Sequence, residues 1–261
     1  MPTGFSSTIL RFDTIDSTNL EAIRQARVGA PEGLCVIARE QSVGRGRLDR
    51  TWHSPKDAGL YFSIVLRPKL PMNLWPLLPL VSALAVSDAL MKSCGLRADI
   101  KWPNDILANE RKLCGILAET LETASGAAAI IGIGINLTKA AVPEALRSNA
   151  TSLEEMMGHQ IDGERILTEL LETIAERYQV LQSEGGAEHT IREWCGNSSY
   201  AFDRVVRVSS DHDSFEGRTR GLQGDGALRV ETGDGKLRVV RAGDVTAVRA
   251  TTNSAGSESS L

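Results

Sequence analysis

Residues 98–137 read ADIKWPNDILANERKLCGILAETLETASGAAAIIGIGINL, and the fold class turns on them. Three apolar segments stand in this stretch: ADIKWP, LCGILAETL (113–121) and AAAIIGIGINL (127–137). Each is short and bounded by turn residues, the pattern of strands in a buried sheet. Pro103 stops the first strand from continuing regularly, and Asn104-Asp105 favours a turn.

Upstream, TILRFDTI (8–15) alternates and is β-branched, LCVIARE (34–40) is a strand, and LYFSIVLRP (60–68) is another after the turn-like SPKDAG. Between the first two, STNLEAIRQARVG (17–29) offers Thr18 and Glu21 as a T-x-x-E capping box, with the helix ending near Gly29. WPLLPLVSALAVSDALMKSCG (75–95) reads as an apolar helix closed by Gly95, its prolines confined to the first turns. Downstream, residues 164–182 place Ile166, Leu167, Leu170, Leu171, Ile174, Tyr178 and Leu181 on one helical face. Mixed strands and helices predict an α/β (α+β) layered domain over 1–200. From about residue 203 the pattern changes to short strands joined by Gly-Asp turns, which predicts a small barrel over 201–250. The polar end, 251–261, reads as a disordered tail.

The chain has 261 residues and a net charge of −4, which argues against a general nucleic-acid binder. Cys35, Cys94, Cys114 and Cys195 form no C-x-x-C pair, and the four histidines show no metal-ligand spacing. The N-terminus lacks the character of a signal peptide, and no apolar run approaches the roughly 18 residues of a membrane span. A cytoplasmic protein with reduced thiols is the expectation.

Against that acidic body, GRGRLDRTW (44–52) is a local cationic loop. Glycines let successive N–H groups face an anion, and Arg45, Arg47 and Arg50 add forked charged donors. A solvated basic turn or an RNA-binding segment fits the composition too. Trp52 is either a core residue or a platform for a base. Lys101 and Asp105 flank the KWPND turn, able to meet a phosphate and a metal, or simply solvated. Lys112 stands at the mouth of an apolar strand. GIGIN (132–136) lacks the third glycine of a dinucleotide fingerprint, and neither a P-loop nor a G-x-S-x-G elbow occurs.

In order, DSTN, Q-x-x-GRGR-x-x-R-x-W, KWPND, RKLCGILAE and GIGIN resemble the biotin protein ligases over roughly residues 8–250. The resemblance implies a catalytic domain related to class II aminoacyl-tRNA synthetases, followed by an SH3-like barrel. It implies that biotin and Mg-ATP yield biotinyl-5′-AMP and pyrophosphate, and that a lysine of biotin carboxyl carrier protein then takes the biotin. Carried over by position, Ser17, Thr18, Asn19 and Gln41 belong to the biotin end. Gly44, Arg45 and Arg47 belong to the loop over biotin and its carboxylate, and Gly115 to a backbone contact with biotin. Arg47, Arg50, Lys101 and Asn104 fall on the ATP side, with Trp52 at the adenine face and Asn136 at its edge. Asp105 falls near the magnesium (Mg2+), and Lys112 between the biotin carboxylate and the α-phosphate. Lys112, Arg47 and Arg45 are the catalytic candidates.

Asp49 stands where many relatives carry Gly, at a position where Asp tolerates a left-handed backbone. Only some 16 residues precede DSTN, where family members that repress transcription carry a helix-turn-helix domain. A ligase without specific DNA binding is therefore expected, and a homodimer through the catalytic domain is left open. Two alternatives compete: a lipoate or octanoate ligase-type enzyme, whose R-R-x-x-G-G-G-x-V string is absent, and a non-catalytic nucleotide- or RNA-binding module.

Overall fold

The computed structural model describes residues 8–209 and 213–247. The expected tail, 251–261, lies outside them. In chain order the elements are β1 (Ile9–Ile15), α1 (Thr18–Arg27), β2 (Cys35–Gln41), β3 (Gly59–Leu66), α2 (Leu77–Cys94), β4 (Asp99–Lys101), β5 (Asp105–Ala108), β6 (Arg111–Thr123) and β7 (Gly126–Asn136). There follow α3 (Leu153–Met157), α4 (Gly163–Leu181), α5 (Gly186–Gly196), β8 (Phe202–Ser209), β9 (Ser214–Leu222), β10 (Leu228–Thr232), β11 (Leu237–Val240) and β12 (Asp244–Ala247).

The stretch 98–137 supplies four of seven strands in one mixed sheet, ordered β1-β2-β3-β7-β6-β5-β4. Only β1 and β2 run parallel; the remaining neighbours are antiparallel. Both faces are covered, which is why β3 and β7 read as nearly unbroken apolar runs. On one face α1 lays Ala22 and Ala26 on Val36, Val65 and Ile130. On the other, α2, α4 and α5 bury the larger cluster, including Leu84, Leu90, Leu170 and Trp194.

Helix α2 is 18 residues long and apolar enough, by length and composition, to cross a membrane. That corrects the expectation that no such run exists. About two thirds of it is buried within the protein, as befits a core helix. Gly95 closes it at φ 70°, the left-handed C-terminal cap.

Two further expectations change. Ser17, not Thr18, is the N-cap of α1, and no side chain caps it. The Thr18 hydroxyl is drawn instead to Gln41, and Glu21 turns to Arg24 and Gln25. The C-terminal strands form an antiparallel sheet ordered β11-β10-β9-β8-β12, with β11 and β12 unpaired to each other among the described residues. The hairpin turns of 201–250 specify neighbour pairing, whereas closure needs the two shortest strands, of four residues each, to meet. The sheet docks on the first through Trp102, whose indole N–H donates to the Gly226 carbonyl at 3.0 Å.

Candidate functional site

A cavity of about 460 Å³ opens where α1, the 44–52 loop, the KWPND turn, the first half of β6 and the last half of β7 converge. Its walls differ in chemistry from end to end.

One end is polar, its charges paired. Gln41 Oε1 accepts from the Thr18 N–H (2.8 Å) and lies 3.1 Å from the Thr18 hydroxyl, while Gln41 Nε2 donates to Ser54 Oγ (2.8 Å). Ser63 Oγ lies 2.8 Å from Thr18 Oγ1 and 2.6 Å from Asn19 Oδ1. Asn19 Nδ2 donates to Glu119 Oε2 (2.8 Å), whose other oxygen accepts from Arg45 at 3.0 Å. Ser17, Thr18 and Asn19 are buried, so these bonds fix side chains that have little room to turn.

The floor is stripped of side chains. Gly115 of β6 pairs with Gly134 of β7. The Trp52 indole lies on this pair: a Cβ at Gly134 would stand 2.5 Å from the ring, and one at Gly115 would stand 3.0 Å away. Trp52 Nε1 is buried there without a hydrogen-bond partner.

The other end is charged. Lys101 and Asp105 face each other across the β4–β5 hairpin. Asp105 Oδ1 is 2.6 Å from Lys112 Nζ and Oδ2 is 3.4 Å from Lys101 Nζ. Burial alone would raise the Asp105 pKa, but the two ammonium groups hold it below the usual carboxylate range. Lys112 reaches this point because β6 carries an extra residue, Leu113, against β5. Lys112 stays in register with Leu107 of β5, while its backbone pairs on the other edge with Asn149 and Thr151 instead of β7, and such bulges re-aim side chains. Its ammonium stands 5.3 Å from the Trp52 ring centroid.

The arginine loop is a small hairpin. Gly46 N–H donates to the Arg50 carbonyl (2.7 Å), and Arg45 bridges Thr51. Leu48 and Asp49 form its tip at φ 53° and 55°. Two consecutive left-handed residues define the tight primed turn, and Asp49 is one of them. Each arginine leaves in its own direction. Arg45 goes to Glu119, Arg50 to Asp244, and Arg47 to the neutral acceptors Asn104 Oδ1 (3.3 Å) and Gly243 O (3.5 Å). Arg47 has no carboxylate partner among the described residues. Desolvation lowers its pKa, an effect opposed by the nearby Asp244 and Asp105.

A cavity with a polar, charge-paired end and an uncompensated cationic end suits a ligand pair bearing anionic groups. Residues 11–136 match the biotin/lipoate A/B protein ligase family, and residues 202–246 match the biotin protein ligase C terminal domain. The biotin--[acetyl-CoA-carboxylase] ligase of Paracoccus denitrificans is 35% identical over 240 residues, covering 88% of this chain and 96% of that protein. The chain belongs to the biotin protein ligase family. The bifunctional ligase/repressor BirA of Bacillus subtilis (strain 168) is 35% identical over 239 residues, which is 90% of this chain and 72% of that one. The biotin protein ligase from Aquifex aeolicus in complex with biotin and ATP superposes with a TM-score of 0.79 at 30% identity, covering 93% of this chain and 99% of that chain.

In this biotin protein ligase family member, Ser17, Thr18, Asn19, Gln41, Arg45, Arg47, Arg50, Trp52, Asn104, Asp105, Lys112, Gly115 and Asn136 all line the one cavity. Gly44 and Lys101 do not. Gly44 sits at the hairpin base, where a Cβ would meet the Trp52 carbonyl at 2.3 Å. Lys101 stands behind Asp105. Asn136 is buried, its Nδ2 donating to the Thr151 carbonyl at 2.9 Å. Asp105 does not fit a magnesium site in this arrangement, because a lysine engages each of its oxygens. No group of three His, Cys, Asp or Glu side chains converges among the described residues.

Sequence reasoning did not single out Ser54, Ser63, Glu119 or Asp244. Glu119 carried the clearest signal, since it closes the quoted RKLCGILAE motif. Ser63 is the one serine inside the apolar strand GLYFSIVL.

Proposed function

We propose that this chain is an ATP-dependent biotin–[acetyl-CoA-carboxylase] ligase. Biotin lies at the Thr18–Gln41 end, its carboxylate toward Lys112 and Arg47. ATP lies with its adenine at the Asn136 end and its α-phosphate beside the same two cations. A biotin carboxylate oxygen attacks the α-phosphorus, the bond from that phosphorus to the bridging oxygen breaks, and pyrophosphate leaves. The product is biotinyl-5′-AMP. A lysine of the biotin carboxyl carrier domain, as the free amine, then attacks the acyl carbon. The new C–N bond replaces the C–O bond to phosphate, AMP leaves, and the nitrogen sheds one proton.

The observation that carries this reading is Arg47, a half-buried guanidinium with no carboxylate partner among the described residues, lining the same wall as Lys112. Two anions must meet before any bond forms, and fixed cations offset that repulsion and stabilise charge growing on the phosphate oxygens. The hairpin loop over the cavity would keep water from the mixed anhydride. We read residues 1–200 as the catalytic domain, akin to class II aminoacyl-tRNA synthetases, and 201–250 as an SH3-like domain whose sheet is open. Four free thiols support a cytoplasmic setting.

Biotin-dependent exchange of labelled pyrophosphate into ATP tests the function. Exchange driven by biotin and not by lipoate or octanoate is the expected result. Exchange driven by either of those acids, or by none, would overturn it.

A further inference from the structure

We propose that Glu119 is a positioning residue that decides which arginine of the loop is left free for substrate. The proposal rests on the ligase reading above. Glu119 lies on β6, and its two oxygens take separate partners: Oε2 accepts from Asn19 at the start of α1, and Oε1 accepts from Arg45 in the loop. These partners are 100 and 74 residues away in the chain, so one carboxylate fastens helix, sheet and loop together.

Asn19 has no other seat. It is 3% exposed, Ser63 holds its Oδ1 at 2.6 Å, and Gly132 beneath it lacks the Cβ that would stand 2.0 Å from that oxygen. With Asn19 fixed, the position of the Glu119 carboxylate is fixed, and so is the guanidinium it holds. The three loop arginines then sort by charge. Arg45 is neutralised by Glu119, Arg50 by Asp244, and Arg47 by no carboxylate. Without Glu119, Arg45 becomes a second uncompensated cation and the loop loses its anchor at the biotin end.

Glu119→Gln tests this in the full chain. The amide keeps the shape and an acceptor for Asn19 but removes the charge that holds Arg45. Charge-assisted hydrogen bonds are roughly twice as strong as neutral ones, so KM for biotin in pyrophosphate exchange should rise about tenfold. KM for ATP and kcat should change by less than about twofold, because Arg47 and Lys112 are untouched. Trypsin cleavage after Arg45 should accelerate in the absence of ligand. Glu122→Gln, an exposed carboxylate on the same strand, should change none of these. Unaltered biotin KM and unaltered cleavage after Arg45 would overturn the proposal. So would a general loss, in which both KM values rise and kcat falls with the melting temperature. If the parent protein shows no biotin-dependent exchange, the ligase reading fails, while cleavage after Arg45 still reports on the clasp.

Discussion

Arg50, near the end of the cationic loop, forms an ion pair with Asp244 at the first position of β12, and the loop's Arg47 meets the carbonyl of the preceding residue, Gly243. The C-terminal sheet thus contributes directly to the wall of a cavity built mainly by the first 150 residues. Three like charges in nine residues suggest a loop that repels itself open. The acceptors on β6, the KWPND turn and β12 offset that repulsion.

The loop should therefore resist trypsin before any ligand is added, and Asp244→Asn should weaken that resistance after Arg50. The arginine is 65% exposed, and exposed pairs are worth about 0–1 kcal/mol, so cleavage should quicken by at most about fivefold. Biotin with ATP should slow cleavage in both proteins. Equal cleavage rates in the two unliganded proteins would remove the β12 anchor from the account.

Lys112→Ala should reduce biotin-dependent pyrophosphate exchange by about 10²–10³, the effect of losing roughly 2–4 kcal/mol of transition-state stabilisation. Lys101 remains beside Asp105, so the fold should survive, which circular dichroism would check. A folded variant exchanging at the parent rate would remove Lys112 from the chemistry.

Asp105 ties charge to stability. Its folded pKa lies below the ordinary carboxylate value near 3.9, so the folded state binds fewer protons there than the unfolded chain. The stability it adds is present above about pH 4 and is lost as pH falls through the depressed folded value. Asp105→Asn should be clearly less stable than the parent at pH 7, with the gap narrowing in urea melts toward pH 3. A gap that stays constant over that range would mean that the ion pairs contribute nothing net.

Gly134→Ala should displace Trp52. The added methyl would stand 2.5 Å from the indole, and overpacking of this kind typically costs about 1–3 kcal/mol. A changed near-ultraviolet dichroism, together with a raised KM for ATP, is the expected signature. An unchanged spectrum and KM would show that the ring has room the structure does not reveal.

The central strands β3 and β7 were legible because they are apolar on both faces and bounded by turn residues, whereas β5 was missed because only three apolar residues follow the KWPND turn. The same reasoning found the loop, Lys112 and the KWPND turn, which stand out as charge or turn chemistry inside apolar runs. It misplaced the Thr18 hydroxyl because a capping box is a local rule, whereas Gln41 competes for that hydroxyl from 23 residues away. Glu119 and Ser63 were passed over for a related reason. Each looks like an ordinary strand residue until the fold brings Asn19 beside it. Leu113 as a bulge left no trace in the sequence, since an extra residue shows only against its partner strand.

Leu48 and Asp49 hold left-handed backbone in succession at the tip of the loop, with Gly46 and Arg50 bonded across its stem. A segment already folded into a hairpin has little backbone left to order when a ligand arrives. Capturing substrate under it would then take little conformational entropy from the nine residues, and more of the contact energy would appear as affinity.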